Sequence, residues 1–149
     1  MKKIIYLLLL LIPLFLGCKD KPEKIEHEYL VDMVAEIGVA PQYKWLVILP
    51  GLGCHGCIVE AELFMKNHVD DSRILFVLTN ISSLKILEQK IELKLSDYSN
   101  VYIDKEKIYQ MPTGNTIYPC IIELENGNII RHSFQSPNTA AFHELKKKL

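Results

Sequence analysis

Two cysteines separated by two residues, Cys54-His55-Gly56-Cys57, are the part of this chain whose types and spacing point most directly to chemistry. A C-x-x-C pair can serve redox exchange, metal binding or haem attachment, so its surroundings decide between them. Haem attachment needs a histidine directly after the second cysteine, and Ile58 stands there. A structural zinc site needs a second ligand pair at comparable spacing, and none is present. A copper or zinc ion held by Cys54, Cys57, Cys120 and a histidine is an open alternative. Dithiol–disulfide exchange suits the placement best, because the pair falls between an apolar run and a helical pattern. At a helix N-terminus, unpaired N–H groups and the dipole favour a thiolate on the first cysteine. The two intervening residues let the sulfurs close a small ring across the first turn, with the second thiol shielded as a resolving group.

The elements that must position this pair are legible on both sides of it. Upstream, Trp45-Leu46-Val47-Ile48-Leu49 is an apolar run ending at Pro50-Gly51, as expected of a strand covered on both faces. Downstream, Ile58, Ala61, Met65 and Val69 mark one face of a helix from His55 to about His68. A helix before the first strand is expected from Ile25, Tyr29, Met33 and Ile37, with Gly38 as its stop. Ile74-Leu75-Phe76-Val77-Leu78 reads as a second buried strand, and Val101-Tyr102-Ile103 as a short one. Between them Leu84, Leu87, Ile91 and Leu95 predict a helix capped by Ser82 or Ser83.

The last third reads differently. Two apolar stretches, 120–124 and 129–134, flank Asn126-Gly127, a strong hairpin signal. Ser136 and Pro137 predict a final helix through Phe142, Leu145 and Leu149. The order α-β-α-β-α-β-β-β-α implies an α/β fold, a small mixed sheet with helices on both faces. Met111-Pro112-Thr113-Gly114-Asn115 reads as a loop without chemistry of its own. Cys120 is the odd thiol, expected to be core packing, though its place beside Pro119 could bring it near the dithiol.

The N-terminus reads as an address. Lys2 and Lys3 precede an apolar run over residues 4–16, which is shorter than the roughly 20 residues of a spanning helix. This is the form of a secretory signal peptide. The run ends in Leu14-Phe15-Leu16-Gly17-Cys18, which resembles the lipobox of bacterial lipoproteins, with Phe15 at a position where Leu is usual. That resemblance implies a signal peptide over residues 1–17, lipidation of Cys18, and a polar tether over 18–24 leading to a domain over 25–149. The domain would then stand in the cell envelope, held to a membrane, in the periplasm or outside the cell. Over the whole chain, 49% hydrophobic and 23% charged residues suit one packed domain. With 17 Lys+Arg against 18 Asp+Glu, no nucleic-acid-binding surface is expected.

From Tyr43 to Leu149 the chain resembles the thioredoxin-like superfamily, and within it the membrane-tethered TlpA/ResA-type oxidoreductases. The resemblance rests on the apolar strand leading into Cys54-His55-Gly56-Cys57, and on Ile117-Tyr118-Pro119 opening the late strand before Asn126-Gly127. It implies a thioredoxin-like fold and a cis Tyr118–Pro119 bond lying against the dithiol, with Tyr118 offering backbone groups to an extended substrate. Glu60 matches a carboxylate that some ResA-type proteins use to tune their thiols, and is otherwise a solvated helix residue. His55 likewise either stabilises a thiolate or is an exposed polar residue. Gly53 replaces the tryptophan that usually precedes the first cysteine, and residues 45–49 offer no buried acid.

The function expected is that of an exported thiol–disulfide oxidoreductase, with Cys54 attacking and Cys57 resolving. Its partners would be exported protein thiols or disulfides and a redox-partner protein, with no cofactor. The alternative is a non-catalytic lipoprotein of the same fold that binds an extended peptide or a metal ion.

Overall fold

The structure, a computed structural model, describes residues 21–149. The apolar run, Cys18 and the first residues of the expected tether lie outside the described residues. Among the described residues no helix is long and apolar enough to cross a membrane.

Strand β1 (Trp45–Pro50) is buried at every position. It can be apolar throughout because both of its faces are covered. Val47 and Leu49 pack on one side with α2 (His55–His68), α3 (Leu84–Ile91) and α4 (Ala141–Lys146). Leu46 and Ile48 pack on the other with α1 (Pro22–Ile37). Fully burying a side chain of this kind contributes about 1.5–3 kcal/mol, so this central strand fixes the sheet.

Strands β2 (Ile74–Thr79) and β3 (Val101–Asp104) lie parallel on one side of β1; on the other, β4 (Cys120–Glu125) pairs antiparallel with β1 and β5 (Asn128–Phe134) pairs antiparallel with β4. The strand order is β3-β2-β1-β4-β5. The chain therefore leaves β1 in one direction and returns to its other side later. Ligand and reaction sites in open α/β sheets gather at such a switch point, beyond the carboxyl ends of the strands. Cys54 follows β1 at that end.

The mixed α/β architecture and the element order agree with the sequence expectation, with local differences. The stripe on α1 is displaced: Glu26, Leu30, Met33 and Val34 are buried, while Ile25 is 38% exposed. Steps of four residues overrun the 3.6-residue turn, so the true face drifts from the apparent one. The helix also begins at Pro22, in the stretch expected to be tether, because proline suits a first helical position. Helix α3 stops at Ile91, where Glu92 turns left-handed, and Leu95 packs from a separate 3₁₀ turn, Leu95–Asp97.

The last helix starts at Ala141 rather than at Pro137. Ser136 to Thr139 form a tight turn instead, in which the Ser136 amide donates to Thr139 Oγ1 at 2.8 Å and that hydroxyl donates to the Phe134 carbonyl. The buried Gln135 side chain accepts from the Phe142 amide at 3.1 Å and so supplies the cap that Ser136 was expected to give.

Candidate functional site

Cys54 is the N-cap of α2, with extended backbone and no side-chain cap. Its sulfur is joined to that of Cys57 in a disulfide, the two Cα atoms being 5.3 Å apart. Cys54 is half-buried and Cys57 is buried, 4% exposed. The first cysteine of the pair is thus the more accessible of the two. His55 and Gly56, between them, are exposed. The amides of His55, Gly56 and Cys57 open the helix and have no carbonyl one turn back to bond. No acidic residue lies in this first turn to offset their field.

The loop feeding the pair is wedged between two other backbones. A Cβ on Gly51 would come to 2.3 Å from the Asn80 carbonyl oxygen, and one on Gly53 to 2.2 Å from that of Ile117. Gly53 also takes φ +141, a conformation that L side chains rarely adopt. A tryptophan at this position would meet backbone on one side, which accounts for the glycine. The Cys54 amide donates to Ile117 O at 3.0 Å.

That oxygen belongs to a 3₁₀ turn, Gly114–Ile117, capped by Thr113. The turn is in turn held from below. Glu26 on α1 accepts from Thr113 Oγ1 at 2.5 Å and from Asn115 Nδ2 at 2.7 Å, and its other oxygen lies 3.2 Å from His132 Nε2. The side chains of His132 and Glu26 are 6% and 5% exposed, so the carboxylate is buried but fully partnered. Burial pushes its pKa up, and the hydrogen bonds from Thr113, His132 and Asn115 outweigh this and hold it below the usual carboxylate range. The segment around Thr113 and Asn115, expected to carry no chemistry, is therefore what connects α1 to the dithiol. Sequence reading missed Glu26, Thr113, Asn115, His132 and Gln135. The one signal was a glutamate one position off the apparent apolar stripe.

Tyr118 and Pro119 follow the turn, but not in the predicted conformation. Among the described residues no peptide bond is cis, so Tyr118–Pro119 is trans. Tyr118 is extended, at φ −108 and ψ 145, as a residue before proline prefers, and it leads straight from the turn into β4. Its amide donates to Asn115 O at 3.0 Å and is not open to an incoming chain. Pro119 is buried, and its carbonyl accepts from the Gln135 amide at 2.9 Å.

Glu60, one turn beyond Cys57, is exposed and accepts from Gln135 Nε2 at 2.7 Å. Gln135 thereby joins α2, Pro119 and α4. Cys120 is fully buried among Leu46, Ile48 and the α1 residues, on the face of the sheet away from α2. Burial pushes its thiol well above the ordinary value, and the Glu26 charge adds to this, which leaves an inert core thiol. Cys54, Cys57, Cys120 and a histidine do not converge, and among the described residues no group of three His, Cys, Asp or Glu could hold a metal ion.

Two apolar residues adjoining Cys54 are exposed: Leu52, two positions before it, at 68%, and Ile117, whose carbonyl takes the Cys54 amide, at 42%. No family model matches the chain, and neither curated proteins nor solved structures yield a match.

Proposed function

We propose that this chain is a thiol–disulfide oxidoreductase of thioredoxin-like fold that exchanges disulfides with exported proteins while held to a membrane through Cys18. The observation that carries the reading is the asymmetric pair at the start of α2, a half-buried Cys54 bonded to a buried Cys57. The fold reading draws support from the strand order and from the dithiol standing at the end of the central strand. It does not draw on Pro119, whose preceding bond is trans. Export and the lipid anchor rest on the sequence of the first eighteen residues alone.

In the reducing direction, the Cys54 thiolate attacks one sulfur of a substrate disulfide and the other leaves as a thiolate. The Cys57 thiol then loses its proton and attacks Cys54 Sγ, which releases the substrate's second thiolate and closes the Cys54–Cys57 disulfide. Two electrons and two protons pass from the dithiol to the substrate, and oxidation of a substrate dithiol is the reverse. The helix-opening amides favour the Cys54 thiolate, and the exposed Leu52 and Ile117 that adjoin it suit an unfolded or extended protein segment.

The test is trapping. Cys57→Ser should accumulate a mixed disulfide between Cys54 and a substrate protein in cell-envelope extracts, and Cys54→Ser should not. A Cys57→Ser protein that traps nothing beyond the Cys54→Ser control would reject the reading.

A further inference from the structure

We infer that Glu26, on the helix that precedes the sheet, is a positioning residue for Cys54, acting through the turn of residues 113–117. The inference rests on the oxidoreductase reading only in giving that position a purpose. The chain of contacts is continuous. Glu26 Oε1 takes hydrogen bonds from Thr113 and Asn115 at 2.5 and 2.7 Å. Thr113 caps the turn and accepts from the Asn115 amide through its side chain. The Thr116 amide donates to Thr113 O at 3.2 Å and the Tyr118 amide to Asn115 O at 3.0 Å, which makes the turn one stiff unit. Its far end presents Ile117 O to the Cys54 amide at 3.0 Å.

The turn has no buried side chain of its own to hold it. Gly114, Thr116 and Ile117 are exposed, and no residue of the turn is buried. On the opposite side the turn meets the Gly53 backbone and the Cys54 amide, the contacts through which its position reaches the dithiol. A buried carboxylate with three donors is the strongest polar anchor within reach, since charge-assisted bonds are about twice as strong as neutral ones.

The Ile117 carbonyl matters to the sulfur because its oxygen is the negative end of a dipole set against the start of α2. It opposes the field of the helix-opening amides at Cys54. Without its anchor the turn shifts, the carbonyl leaves the Cys54 amide, and the Cys54 thiolate becomes easier to form.

The experiment is alkylation of the reduced full-length protein with iodoacetamide as a function of pH, with Cys54 read by peptide mass spectrometry. Four proteins are compared: wild type, Glu26→Ala, which removes the acceptor that a glutamine would keep, the loop-side variant Thr113→Val/Asn115→Ala, and the three changes combined. The loop-side variant touches no residue of the sheet core. Labelling of Cys54 at pH 6 should rise roughly threefold to tenfold in each, the response to a fall of about half to one pKa unit. The combined protein should gain no more than the larger of the two, because both cut the same tie. Unchanged profiles in the loop-side variant, or effects that add in full, would overturn the inference. Alkylation needs no partner protein, so a chain that traps no substrate but responds in this way keeps the tie and loses the oxidoreductase reading.

Discussion

Gly53 and Ile117 are in backbone contact: a Cβ on Gly53 would fall 2.2 Å from the Ile117 carbonyl oxygen, and the next amide, Cys54, donates to that same oxygen at 3.0 Å. The glycine that opens the dithiol loop and the segment that leads into β4 are thus fitted to one another. Sequence separates them by more than sixty positions, and the order of strands brings them together, since β4 lies directly beside β1.

Gly53→Ala should therefore destabilise the oxidised protein by about 1–3 kcal/mol, the usual cost of forcing a side chain into such a backbone conformation. Gly56→Ala is the control. Nothing lies within 4 Å of its Cβ position, and alanine inside a helix gains roughly 0.5–1 kcal/mol over glycine. Urea unfolding midpoints of the two variants should move in opposite directions.

Cys120→Ala should leave the rate of disulfide exchange at the Cys54–Cys57 pair unchanged and cost about 1 kcal/mol of stability, as for the loss of a small buried group. Its thiol is fully buried on the face away from α2. A stopped-flow exchange assay with a small disulfide checks the first half and thermal unfolding the second. A slowed exchange at unchanged stability would place Cys120 in the chemistry.

The two strands flanking the dithiol loop were legible because burial on both faces leaves a continuous apolar run, and Trp45 to Leu49 and Ile74 to Leu78 have one. The hairpin was legible because Asn126 and Gly127 both take positive φ, which few residues accept. The dithiol at a helix start followed from its place between strand and helical pattern. What could not be read were the polar ties across the fold. Glu26 meets Thr113 and His132 across 87 and 106 residues, and no local period marks such partners. Gln135 capping the last helix from outside it is of the same kind, and it moved that helix start from Pro137 to Ala141.

Gln135→Leu should destabilise by about 1–3 kcal/mol, because it leaves the Phe142 amide and the Thr139 carbonyl without their side-chain partner. It also frees Glu60. Chemical unfolding measures the loss, and an unchanged midpoint would show that solvent takes over these bonds.

Acid sensitivity should pass through Glu26. Its folded-state pKa lies below the ordinary value, so its contribution to stability is present above roughly pH 4.3, the unfolded value, and is lost as pH falls through the folded one. Glu26→Gln removes the titrating group. Its stability should fall less steeply than that of the wild type as pH is lowered below about 5. Parallel slopes in the two proteins would contradict the assignment.

The reduction potential of the Cys54–Cys57 pair, measured on the chain from residue 21 onward by equilibration in thiol–disulfide buffers, bears most directly on the central claim. An exchange site predicts a single reversible two-electron transition between roughly −270 and −120 mV, the span from reducing to oxidising members of the thioredoxin-like group. A potential below about −300 mV, or a disulfide that the buffers do not reduce, is the property of a structural crosslink and would contradict the account.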